Sequence, residues 1–222
     1  MSKIGIIGAG HIGGTLARRL VALGHTVEIA NSRGPESLAS FATESGAKAV
    51  PVEQVVQDKD LIVVSIPMKA VSALPAGLFR DVASSVPVID TGNYYPRERD
   101  GRIAPIEDGK TEARWVADTI GHPVVKVFNN IYFKNLAEGG RPEGAADRLA
   151  LPVSGDDPAH KAKVIALLDE LGFDAVDNGG LDDSWRYQPD TPAYSGNKDV
   201  AGVKEQLAAA SPVRGEKFRG VE

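Results

Sequence analysis

Along this chain, short apolar runs of strand length alternate with longer stretches in which apolar residues recur at helical spacing. Residues 3–7 read as a short buried strand. Residues 11–23 read as a helix, with Ile12, Leu16, Leu20 and Leu23 in step and Gly24 as its stop. Residues 27–30 give a second strand. Pro35 opens the next helix at its first turn, Leu38, Phe41 and Ala42 share one face, Gly46 ends it, and 47–50 form a third strand. The apolar run 61–66, closed by Pro67, predicts a central parallel strand covered on both faces. Residues 86–90, 124–128 and 149–153 supply three more strands. Asp157 and Pro158 then start a helix that ends near Leu171, and 173–176 close the series.

This alternation predicts an α/β fold built on a doubly wound, mostly parallel Rossmann sheet. The dinucleotide-binding domain is expected at 1–181, with 182–222 as a C-terminal extension that covers substrate or contacts a second subunit. Residues 182–197 have little periodicity, yet Trp185, Tyr187 and Tyr194 need burial. A second copy of the chain would supply it, so a homodimer is expected. Two polar segments, 94–110 and 135–148, exceed ordinary connections in length and read as lids.

The first turn carries chemistry. Gly8-Ala9-Gly10-His11-Ile12-Gly13 is a GxGxxG set between a strand and an amphipathic helix. Its first glycine makes the tight turn, its second lets the backbone approach a pyrophosphate, and its third packs helix on strand. His11 and Ile12 begin the helix whose free N–H groups and dipole hold the anion. After the second strand, an NAD site would carry Asp or Glu for the ribose 2′-hydroxyl. Asn31-Ser32-Arg33 stands there instead. Arg33 can pair with a 2′-phosphate and Ser32 can donate to it, which points to NADP(H). Ser65-Ile66-Pro67 ends the fourth strand, beside the ribose and nicotinamide of such a sheet; the proline is equally suited to starting a helix. Asn129 and Asn130 follow the sixth strand, at the carboxyl edge where ligands of open sheets bind, with Ile131 as an apolar floor. They point to the second substrate or cap the turn.

Composition removes other classes. A net charge of −5 over 222 residues gives no overall attraction to nucleic acid or a membrane surface. No window approaches the roughly 20 apolar residues of a membrane span, no targeting segment is apparent, and a cytoplasmic protein is expected. Without cysteine there is no disulfide, thiolate metal site or Cys nucleophile. No cluster has metal-ligand spacing, and His25, His122 and His160 read as turn and surface-helix residues. Tyr94, Tyr95, Tyr132, Lys126 and Lys134 are candidate proton donors that no spacing distinguishes, so the catalytic residue is unidentified.

Taken together, GAGHIGG at the opening strand, NSRGPES, the SIP strand end, VIDTGNYYP, VKVFNNI and the GDD before the late helix resemble the family of coenzyme F420-dependent NADP oxidoreductases, in order over most of the chain. The resemblance implies a small homodimeric reductase that passes hydride between NADP(H) and a deazaflavin. It implies Gly8, Gly10, His11, Ile12, Gly13, Ser32 and Arg33 at NADP, and Asn129, Asn130 and Ile131 under the second substrate. The chain departs from the best-known archaeal members in carrying Asn129 where they have histidine. It also has a polar, proline-broken stretch at 183–192 where they have an apolar helical segment. A reductase of an imine, ketone or other acceptor on the same scaffold, and a non-catalytic NADP(H)-binding sensor, are the alternatives.

Overall fold

The computed structural model describes residues 1–220. Strands β1 (Lys3–Ile7), β2 (Thr26–Ala30), β3 (Lys48–Ala49), β4 (Leu61–Val64), β5 (Val88–Asp90) and β6 (Val124–Lys126) form one parallel sheet in the order β3-β2-β1-β4-β5-β6. The order reverses beside β1, so the carboxyl ends of β1 and β4 flank the crevice where open α/β sheets bind ligands. The central strands are apolar on both faces because helices cover both. Leu16 and Leu20 of α1 (His11–Ala22) pack on one side with α2 (Ala39–Ser45) nearby. Val55 of α3 (Val52–Val55), with Met68 and Val71 of α4 (Met68–Val71), packs on the other side. Ile106 of α5 (Ala104–Glu107) and Trp115 and Val116 of α6 (Glu112–Ile120) complete that layer.

The expected strands are present, three of them shorter than read at their carboxyl ends. The run 61–66 stops pairing at Val64, and 124–128 stops at Lys126, where the chain turns into the crevice. The last two strands depart from the expected sheet. β7 (Ala150–Val153) and β8 (Asp174–Asp177) pair in parallel with each other and reach the main sheet only through an antiparallel bridge between Lys126 and Ser154. Asp157 caps α8 (Pro158–Glu170) as expected, its carboxylate accepting from the backbone N–H groups of Ala159 (2.7 Å) and His160 (3.2 Å).

One expectation is corrected here. His160 is buried, not on the solvent face, because the first turn of α8 rolls it inward beside Val164 and Leu168. The segment 94–110, read as a lid, is a series of helical turns, Pro96–Asp100 and α5. Of residues 135–148, also read as a lid, the first four belong to α7 (Phe133–Glu138), and the stretch ends at Arg148, which is buried and paired with Asp169 (2.5 Å) and Asp174 (2.9 Å). A helix absent from the sequence expectation, α9 (Val200–Ala208), lies against β7 and β8. There Tyr187, fully buried, meets Ala150, Val176, Ala193, Val203 and Leu207. The burial expected from a second copy is thus supplied to Tyr187 by its own chain. Among the described residues, no helix is long and apolar enough to cross a membrane, and no group of His, Asp and Glu could hold a metal ion.

Candidate functional site

A cleft of about 840 Å³ opens at the carboxyl ends of β1, β2 and β4, within the usual range for ligand pockets. It gathers three separate sequence predictions: Gly8 and Gly10 from the first turn, Asn31, Ser32 and Arg33 from the second, and Ser65, Ile66 and Pro67 from the fourth. Gly8 has φ +107°, and a Cβ there would stand 2.1 Å from the carbonyl oxygen of Ser65. That glycine is required by the fold. A Cβ on Gly10, by contrast, would meet nothing within 4 Å, because it would project into the cleft. Gly10 also caps α1 without a side chain, and the first turn holds no acidic residue. The leading N–H groups are therefore open to an anion. Beside them the exposed ring of His11 stacks on Phe133, centroids 4.4 Å apart.

The second turn is built by Asn31. Its Oδ1 accepts from the N–H of Arg33 (2.9 Å) and its Nδ2 reaches Ser37 Oγ (2.9 Å), an arrangement that turns Ser32 and Arg33 outward. Arg33 has no carboxylate within ion-pair distance among the described residues, although Glu36 is close in sequence. The Arg33 side chain is exposed at the cleft rim. A guanidinium and a hydroxyl at the end of β2, with no acid between them, suit a phosphate on the ribose better than a free hydroxyl. The residues present fit NADP(H).

Beyond the cleft, the ends of β5 and β6 are joined by a buried ion pair. Lys126 donates to Asp90 Oδ2 (2.8 Å) and to the carbonyl of Gly92 (2.5 Å), both side chains being at most 2% exposed. Asp90 also accepts from the Gly92 N–H (2.8 Å), so the pair locks the turn that follows β5. Thr91 Oγ1 lies 3.0 Å from Ser65 Oγ, and the Asn93 amide donates to the carbonyl of Asn129 (2.8 Å), tying this turn to its neighbours on either side.

Asn129 and Asn130 are each 4% exposed. Their Nδ2 groups donate to the carbonyls of Tyr187 (2.9 Å) and Ala193 (3.3 Å), and the N–H of Ser195 returns to the carbonyl of Asn130 (2.9 Å). The two amides thus carry the C-terminal segment across the end of β6, with Ile131 buried beneath and Tyr132 half exposed alongside.

The structure also separates the five candidate donors. Lys126 is enclosed by its ion pair. Tyr94 is fully buried, its hydroxyl donating to Glu107 (2.8 Å), and burial pushes its pKa up to about 12. Tyr132 is half exposed beside the ring of Phe133, and Lys134 is exposed on α7 in a separate groove with Glu138 and Arg141. Tyr95 remains at that end, its N–H held by Asp100 Oδ2 (2.9 Å) and its hydroxyl in contact with that of Tyr194. Burial, and then the Tyr194 hydroxyl, hold the Tyr95 phenol well above its ordinary range. Asn93, Arg99 and Asp100 escaped the sequence reading, and Tyr194 was read only as a residue that needs burial, because their partners are distant in the chain or lie within an irregular turn.

Comparison with known proteins agrees with this geometry. The sequence profile of the family described as NADP oxidoreductase, coenzyme F420-dependent, matches residues 3–94, a stretch that holds every residue of the cleft. Over 74 residues, a third of the chain, the sequence is 47% identical to the Escherichia coli K12 protein YjhV, of which it spans 54%. The crystal structure of hypothetical protein SMa0349 from Sinorhizobium meliloti shares the fold with a TM-score of 0.73 and 29% identity, over 88% of this chain and 94% of that one. A candidate F420-dependent NADP-reductase from Arthrobacter sp. FB24 does so with a TM-score of 0.68 and 27% identity, over 81% and 86%. Over residues 3–94 the resemblance read from the sequence is borne out, and the solved structures share the Rossmann-type fold.

Proposed function

We propose that this chain is an NADPH-dependent reductase whose acceptor is a planar ring of the deazaflavin type, coenzyme F420. The observation that carries the cofactor is the free guanidinium of Arg33 beside Ser32 at the end of β2, a strand end that carries neither Asp nor Glu. The acceptor rests on the family description and on the name given to the Arthrobacter relative.

In this reading the first turn of α1 binds the pyrophosphate, Asn31 orients Ser32 and Arg33 on the 2′-phosphate, and Ser65–Pro67 wall the ribose. When bound, the nicotinamide supplies a hydride. The chain's task is then to align two rings and exclude water, since positioning accounts for much of the rate of such a transfer. Asn129 and Asn130 contribute by fixing the segment that roofs the end of β6, with Ile131 as an apolar floor. A second reading, reduction of an imine or ketone, is favoured by that same roof. It covers the residues expected beneath a deazaflavin, and a smaller acceptor needs less of the edge. Action as a homodimer in the cytoplasm completes the proposal.

Two measurements test it. Arg33→Ala should weaken NADPH by roughly ten- to a hundredfold and leave NADH nearly unchanged, since a charge-assisted contact contributes ~1.5–3 kcal/mol and ~1.4 kcal/mol is tenfold. Calorimetric titration of both cofactors reads this directly, and equal losses would remove the NADP assignment. Loss of nicotinamide absorbance with oxidised F420, a cyclic imine and a ketone in turn identifies the acceptor. Tight NADPH binding with no turnover of any of them would favour a sensor.

A further inference from the structure

We propose that Tyr95 is the proton donor to the acceptor and that Tyr194 is the relay that reprotonates it. This rests on the reductase reading above and extends it to a residue role. Three observations carry it.

The first is a count of hydrogens. Two hydroxyls in contact share one hydrogen between them, and the other O–H is left over. Among the described residues, neither phenol has a hydrogen-bond partner besides the other. The pair therefore keeps one donor unassigned in a partly buried place, in a fold that otherwise bonds its buried tyrosines. Tyr94 is bonded to Glu107, and Tyr187 to the carbonyl of Lys126 (2.9 Å).

The second is position. Tyr95 leaves β5 only five residues after Asp90, and its backbone is pinned by the fully buried carboxylate of Asp100. Tyr194 sits next to Ser195, whose N–H is fixed on Asn130. The two hydroxyls thus meet over the carboxyl ends of β5 and β6. A dinucleotide held at the turn after β1 would run along the sheet edge past β4 toward this place.

The third is the surroundings. The Arg99 guanidinium lies 5.0 Å from the centre of the Tyr95 ring and is itself held by the carbonyl of Asn93 (2.5 Å) and by Asp100. A fixed cation stabilises the phenolate that a donor leaves behind. Burial acts in the other direction and keeps the resting phenol protonated. The site therefore holds a proton at neutral pH and can release it transiently.

The step balances. A carbon of the acceptor's C=N or C=O system takes hydride from the reduced nicotinamide. The displaced π electrons form a bond between the acceptor's nitrogen or oxygen and the Tyr95 proton. The Tyr194 hydrogen then moves to Tyr95, and water refills Tyr194. NADPH is oxidised, the acceptor is reduced by two electrons, and one proton is drawn from solvent.

The experiment compares Tyr95→Phe and Tyr194→Phe with the wild type, using the acceptor that the wild type reduces. General-acid catalysis is worth ~10²–10⁴-fold, so Tyr95→Phe should lower kcat by that amount and Tyr194→Phe by less. Calorimetric affinity for NADPH and the thermal midpoint should stay at wild-type values. The isotope effect with C4-deuterated NADPH should grow in Tyr95→Phe as chemistry becomes slower. If Tyr95→Phe retains wild-type kcat, or if its loss comes with weakened NADPH binding and a lowered midpoint, the phenols only anchor the C-terminal segment. That overturns the proposal while leaving the reductase reading intact. A wild-type protein that binds NADPH and reduces no acceptor overturns both.

Discussion

Gly10→Val is expected to abolish dinucleotide binding without unfolding the protein. The two halves of that expectation rest on one observation, the empty space where a Cβ on Gly10 would stand. The residue has φ −75° and ψ −166°, extended backbone that valine adopts readily, so the folded chain accommodates the side chain. What it displaces is the ligand. A branched group over the first turn of α1 keeps a pyrophosphate from its N–H groups. Two lost charge-assisted contacts, at ~1.5–3 kcal/mol each, weaken binding by roughly two to four orders of magnitude. The same change at Gly8 would behave differently, since its Cβ would strike the Ser65 carbonyl and disturb the join between β1 and β4. Calorimetry with NADPH, paired with a thermal melt, separates the two. Wild-type affinity in Gly10→Val would place the pyrophosphate elsewhere.

Lys126→Met is expected to be strongly destabilising. It leaves the Asp90 carboxylate buried with only the Gly92 N–H for company. Breaking a buried pair by removing one partner costs about 3–5 kcal/mol, which for a chain of this size lowers the melting temperature by about 6–20 °C. Removing both charges should recover much of this, because the pair was itself costly to desolvate. The double variant Asp90→Asn with Lys126→Met keeps a side-chain acceptor for Gly92 and should melt above Lys126→Met alone. A double variant no more stable than the single would show that Lys126 contributes through packing and its bond to the Gly92 carbonyl, not through charge.

How much of this was legible in the sequence depends on how far each residue's partners lie along the chain. The cleft was readable almost entirely, because a strand, a glycine turn and a helix start are local signals, and each strand end is the last apolar residue before a turn. Arg33 could be assigned from its place after β2 without knowing any tertiary contact. Asn129 and Asn130 were located at the right edge, but the groups their amides hold, the carbonyls of Tyr187 and Ala193, lie 58 and 63 residues away. The contact of Tyr95 with Tyr194 spans 99 residues, and no local pattern announces it. The helix α9 was missed for a different reason. It follows a stretch interrupted by Pro192 and Gly196, and its apolar positions become meaningful only once β7 and β8 are there to receive Val203 and Leu207. His160 was misplaced because its neighbours in sequence are charged, while its neighbours in space are Val164 and Leu168.

The last described residues fasten the turn after β5. Arg214 donates to the buried Glu112 carboxylate (2.7 Å) and to Gln188 (2.9 Å), and Glu112 in turn accepts from the Tyr94 N–H (3.1 Å). The Gly220 N–H reaches Glu107 (2.7 Å), and Arg97 donates to the carbonyl of Arg219 (3.0 Å). Burial raises the pKa of Glu112 against the pull of Arg214 and Lys126, so without Arg214 its charge has little to sustain it. A chain leaves the ribosome N-terminus first, at about 5–20 residues per second. Residues 7–75, which line the dinucleotide cleft, emerge long before Arg214. The nucleotide half of the crevice can therefore assemble during translation, while the turn bearing Tyr95 is clamped only once Arg214 and Gly220 have emerged. On the proposed function, the newborn chain can hold its dinucleotide before the turn bearing Tyr95 is in place.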